Sequence, residues 1–174
     1  MDLYDKVFSY IDMRSFSNLW YWIALAVLWS STSHWVLGVP HDLIVRGRSE
    51  GGQAQQDLED MVRINAGRLL TMIDRAALWI AALAGFWLSV IGMLGFYYDI
   101  EFAQAIFFLA APMTLVVWLS GRTSRRIVAG ENTGAALHRR LTVHRRYVQS
   151  VGMLSIFVTA MFGMWQNINA SILN

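Results

Sequence analysis

The sequence predicts an all-α integral membrane protein: a bundle of four transmembrane helices with cytoplasmic helical stalk extensions, forming a single membrane domain over residues 1–174. Three observations predict it. Every charged residue lies outside four long apolar windows. Two apolar seams at coiled-coil spacing run directly into two of those windows. Twelve of the 14 basic residues fall in only two of the connections.

Composition rules out an ordinary soluble domain. Apolar residues make up 56% of the chain and charged residues only 15%, against about a quarter charged in typical globular chains. Eight Trp and nine Met fit a lipid setting, where Trp gathers at the interfaces. The absence of Cys excludes disulfides, thiolate zinc sites and cysteine-ligated iron–sulfur clusters. The opening stretch carries Asp2, Asp5 and Asp12 and has no basic n-region, so it is not expected to act as a secretory signal. Residues 3–16 follow a helical rhythm with Leu3, Val7 and Tyr10 near one face. That pattern suits a short interfacial helix over residues 1–16, or a plain ordered arm.

The uncharged windows are Ser15–His41, Ala76–Tyr98, Phe102–Gly121 and Tyr147–Asn174. Each can supply the roughly 20 apolar residues that a crossing helix needs. The spans are placed near 19–37, 76–96, 102–119 and 148–165. A soluble bundle would need a polar stripe on each helix, and residues 77–96 have none. The turn Tyr97-Tyr98-Asp99-Ile100-Glu101 is short, so the spans on either side form an antiparallel hairpin. Pro112 lies inside the third span and frees a carbonyl one turn earlier.

The connections 42–75 and 122–146 are expected to be helical. Val62, Ala66, Leu69, Ile73, Ala76 and Ile80 recur at period 3.5, and so do Leu137, Leu141, His144, Val148, Val151 and Ser155. Gly51-Gly52 and the run Gly130–Gly134 mark turns. Asp57, Glu59, Asp60 and Asp74 on the first stalk complement Arg139, Arg140, Arg145 and Arg146 on the second, so the stalks are expected to pair within the chain or across a homo-oligomer.

Arginine placement sets the orientation. The segment 42–75 holds five arginines and 122–146 holds seven, whereas the 97–101 turn has no basic residue. By the positive-inside rule both long connections are cytoplasmic. The predicted location is the bacterial inner membrane, multi-pass, with both termini periplasmic. Arg122, Arg125, Arg126, Arg145 and Arg146 are the expected contacts to anionic headgroups, and nucleic acid is not an expected partner.

Motifs for chemistry are missing. There is no Walker loop, GxSxG, HExxH or nucleotide-binding glycine motif, and no enzyme or cofactor is predicted. Of His34, His41, His138 and His144, only His34 falls within a span; it is the one candidate for cofactor binding. The spans contain no Asp, Glu, Lys or Arg, which argues against an ion-coupled carrier. Small residues recur every four positions at Ala81, Gly85, Ser89 and at Ser155, Thr159, Gly163. They allow close helix packing, inside the bundle or on an oligomer face.

The opening 42 residues, with IDMRSFSNLWYWI at the start of the first helix and SHWVLGVPHD at its exit, resemble a family of alphaproteobacterial inner-membrane proteins of similar length. Its members often bear the label "component of SUF (SufBCD) complex". The resemblance implies a membrane partner for an iron–sulfur assembly complex. With no Cys to hold or relay a cluster, such a role would be docking. The expected function is a non-catalytic accessory or scaffold subunit, acting as a homo-oligomer or within a larger membrane complex. The alternatives are a small oligomeric channel or transporter lined by Ser30–His34, and a redox or quinone-associated protein using His34, Trp29 and Trp35.

Overall fold

A computed structural model describes residues 15–172. The interfacial helix expected over 1–16 lies outside the described residues, apart from one 3-10 turn at Ser15–Ser17. Five helices follow, in the order α1 (Leu19–His34), α2 (His41–Glu50), α3 (Gly52–Phe96), α4 (Glu101–Val128) and α5 (Gly134–Ile172). A two-stranded hairpin, β1 (Trp35–Val36) and β2 (Val39–Pro40), sits between α1 and α2. Helices α3, α4 and α5 are long and apolar enough to cross a membrane.

Helix α1 starts at Asn18, whose side chain accepts a 3.0 Å hydrogen bond from the Trp20 amide, a typical cap. It has 16 residues and stops three residues before the end of the span expected from sequence. The hairpin is the reason. Trp35 pairs with Pro40 and Val36 with Val39, and the two turn residues both have positive φ, Leu37 at 53° and Gly38 at 73°. That combination matches the twist of a tight hairpin. Pro40 adds to it, because a residue before proline avoids helical geometry. The Gly38 carbonyl accepts from Asn65 Nδ2 at 3.1 Å, which ties the hairpin to α3.

The buried residues fall into two clusters. At one end Val36, Val39, Ile44, Leu58, Val62, Ala66, Ile127, Leu137 and Leu141 pack together, so the hairpin, α2 and the polar halves of α3, α4 and α5 share one core. Along the apolar stretch, Leu25, Trp29, Val116 and Val148 form the second. The seam positions lead into these clusters. Val62 and Ala66 are buried, and in α5 Leu137, Leu141, His144 and Val148 are all at most 3% exposed. Both long helices run unbroken from the polar end into the apolar stretch.

The other end gathers the 3-10 turn, the α3–α4 turn and the far end of α5. The Phe16 amide donates to Glu101 Oε1 at 2.8 Å, and the Phe16 ring meets Phe162 edge-on at 5.5 Å. Gln104, 2% exposed, is the polar node here. Its Nε2 donates to the Gly95 carbonyl at 2.8 Å and to Asp99 Oδ1 at 2.9 Å. Its Oε1 accepts from Gln166 Nε2 at 2.7 Å. One amide therefore joins α3, the turn, α4 and α5. The backbones must be close to allow it: a Cβ on Gly95 would lie 2.9 Å from the Gln104 nitrogen.

Gln104→Leu keeps the volume but strands these partners. It should lower stability by about 1–3 kcal/mol, read as a reduced midpoint in detergent unfolding. An unchanged midpoint would mean that the node contributes nothing.

Candidate interaction face and arginine belt

The two small-residue lines take opposite places. Ser155, Thr159 and Gly163 on α5 point into the bundle, and Thr159 is fully buried. A Cβ on Gly163 would stand 3.2 Å from Phe16. Ala81, Gly85 and Ser89 on α3 are exposed, and nothing lies within 4 Å of a Cβ built on Gly85. Around them Leu78, Trp79, Leu83, Phe86 and Trp87 are all more than half exposed. None of the most apolar 18-residue stretch of α3 is buried. Gly152, not singled out from sequence, makes the tightest approach in the bundle's middle, since a Cβ there would meet the Trp29 ring at 2.7 Å. Its signal was a glycine one turn after the seam residue Val148, beside rather than within the line of Ser155, Thr159 and Gly163.

Pro112 and Ser155 form a pair that the sequence did not reveal. Proline has no N–H, so the Phe108 carbonyl loses its helical donor. Ser155 Oγ donates to that carbonyl at 3.4 Å from the neighbouring helix. This is how membrane helices tolerate an internal proline.

The arginines form a belt at the polar end. Arg122 lies over the Trp118 ring at 5.7 Å, and Arg125 stands 4.0 Å from Asp74. Arg122, Arg126 and Arg140 line a hollow of about 240 Å³ with Thr123, His144 and Tyr147. Arg145 turns inward, and its Nη1 donates to His41 Nε2 at 2.7 Å. Arg146 is exposed. Within the chain, other contacts replace the expected pairing between the stalk charges. Arg140 binds Glu131, and that contact holds the Glu131 carboxyl below its ordinary pKa. Asp60 binds Arg63 on its own helix, and Glu59 accepts from the Gly134 amide at 2.8 Å.

His41, His138 and His144 are hydrogen-bonded packing groups, and His34 is not. Exposed His34 stands 3.5 Å from Asp42 and edge-on to Trp35. His138 Nε2 lies 2.7 Å from Gln55 Oε1. His144 has Thr123 Oγ1 at 3.1 Å from Nδ1 and Ser120 Oγ at 3.4 Å from Nε2. Ser120 directs its own proton to the Val116 carbonyl, so Nε2–H donates to Ser120 and Nδ1 accepts from Thr123. Among the described residues no three His, Asp or Glu side chains gather as metal ligands.

Between α3 and α4 lies the largest hollow described, about 810 Å³. Its walls are Ala77, Ile80, Ala81 and Ala84 on α3, and Ala110, Met113, Thr114 and Val117 on α4; Trp118, Arg122 and Arg125 stand at one end. Compared with known protein families, curated proteins and solved structures, the chain matches none.

Two outcomes test these contacts. Ser155→Ala should cost about 0.6 kcal/mol with Pro112 present and nothing in a Pro112→Ala background, as measured by a double-mutant cycle. Equal costs in both backgrounds would disconnect the pair. Burial pushes the His144 pKa down from 6.5 to about 4, so the folded chain keeps this ring neutral where the unfolded chain protonates it. Its effect on stability is nil above about pH 6.5 and increasingly unfavourable as pH falls toward 4. His144→Asn should therefore give a shallower acid limb in thermal unfolding; an unaltered limb would assign the acid sensitivity to other groups.

Proposed function

We propose that this chain is a non-catalytic accessory or scaffold subunit of the bacterial inner membrane, which binds a second copy or a larger membrane complex through the outer face of α3. The observation that carries this reading is the open pair Gly85 and Ser89, with Ala81 at the edge where this face meets the α3–α4 hollow, among exposed Trp79, Phe86 and Trp87. A helix facing only lipid gains nothing from a small residue every fourth position, whereas a partner helix does. Residues 42–75 and 122–146 carry the arginines, so the hairpin end faces the cytoplasm and the termini and the 97–101 turn face the periplasm.

In this reading α1 is the fourth crossing. At 1.5 Å per residue its 16 residues reach about 24 Å, and the 3-10 turn and hairpin extend it. It follows α5 from Gly163, which abuts Phe16, to Gly152, which abuts Trp29. The resemblance of the first 42 residues adds an iron–sulfur assembly complex as a partner class.

Gly85→Leu tests the outer face. It meets no neighbour within the chain, so the unfolding midpoint should stay put while the co-purifying partner or second copy is lost in mild-detergent native mass spectrometry. A chain that runs as a lone monomer before and after the substitution would defeat the proposal.

A further inference from the structure

We infer that the hollow between α3 and α4 is a binding site for one anionic phospholipid, with an acyl chain between the two helices and the phosphate on Arg122 and Arg125. The inference rests on the chain lying in a bilayer with its arginine end at a headgroup layer. It does not rest on the accessory role.

The two helices touch at both ends of the hollow. Near the α3–α4 turn, Gly95 lies against Gln104. At the arginine end, a Cβ on Gly121 would stand 2.8 Å from Ile73. Between these contacts alanines occupy positions that larger side chains would fill: Ala77, Ala81 and Ala84 on one wall and Ala110 on the other. The result is a recess of about 810 Å³, within the roughly 300–1,000 Å³ of ligand pockets. Its interior offers almost nothing to a polar ligand. The Thr114 hydroxyl already donates to the Ala111 carbonyl at 2.7 Å, so the walls suit hydrocarbon.

Charge is confined to one end. Arg122 and Arg125 stand there, and among the described residues Asp74, 4.0 Å from Arg125, is the acid that pairs with them. Trp118 lies under Arg122 and places its guanidinium at the rim. Arg122 also lines the hollow that holds Arg126 and Arg140, so the positive field continues away from the membrane. An apolar slot ending in excess positive charge is the complement of a lipid with a negative headgroup.

The test is native mass spectrometry of the full chain in detergent, with phosphatidylglycerol or phosphatidylcholine of identical acyl chains. One phosphatidylglycerol should be retained in preference. Arg122→Gln with Arg125→Gln should weaken its binding roughly thirtyfold. Arg139→Gln, away from the hollow, should leave binding unchanged. Ala84→Phe, which fills the slot without altering charge, should weaken both lipids. Equal retention of the two lipids, full binding by the double arginine variant, or displacement by excess inorganic phosphate alone would overturn the site. None of these results depends on whether Gly85→Leu disrupts an assembly.

Discussion

A carbonyl or amide without a partner in hydrocarbon costs several kcal/mol, and the apolar stretch of this chain is organised around avoiding that cost. Pro112 removes one helical hydrogen bond, and Ser155 replaces it from the next helix. The turn between α3 and α4 exposes the Gly95 carbonyl, and Gln104 covers it while also holding Asp99 and Gln166. Thr32, Ser89 and Thr159 each return their hydroxyl to a carbonyl one turn back. Few side chains in the apolar stretch can do this, so the positions of Gln104 and Ser155 fix how α3, α4 and α5 meet.

A different logic governs the polar end. There Val36, Val39, Leu58, Leu137 and Leu141 are nearly inaccessible, and burial of aliphatic side chains holds the hairpin and α2 against three helix ends. Charge has a smaller part: most ion pairs are exposed, where each is worth about 0–1 kcal/mol. The chain thus has two cores with different solvents around them, linked by helices that belong to both.

Much of this was legible in the sequence because it follows periodicity. The 3.5-residue seam marks buried positions in α5 from Leu137 to Val148 and in α3 at Val62 and Ala66, beyond which the α3 seam opens until Ile80 is exposed; the glycine pairs and the Tyr97–Glu101 run mark the turns. The hairpin at Trp35–Pro40 was not legible. It depends on Leu37 at φ 53°, a left-handed conformation that L side chains avoid and that tertiary packing must hold. Nor could spacing tell an inward small-residue line from an outward one: Ser155, Thr159 and Gly163 have the same period as Ala81, Gly85 and Ser89, and only the neighbours differ. The arginines were visible as a charge cluster. The slot beside them was not, because it is made by what alanines leave unfilled across two helices.

Helix α3 is unbroken over 45 residues, a rod of roughly 68 Å at 1.5 Å per residue. It is fastened at the polar core through Leu58, Val62 and Ala66, midway where Ile73 meets Gly121, and at the far end through Gly95. Such a rod transmits tilt. Rotated by about 5° around one fastening, its other end travels roughly 6 Å. Whatever sits against its middle is thereby coupled mechanically to the hairpin and α2 at one end and to the α3–α4 turn at the other.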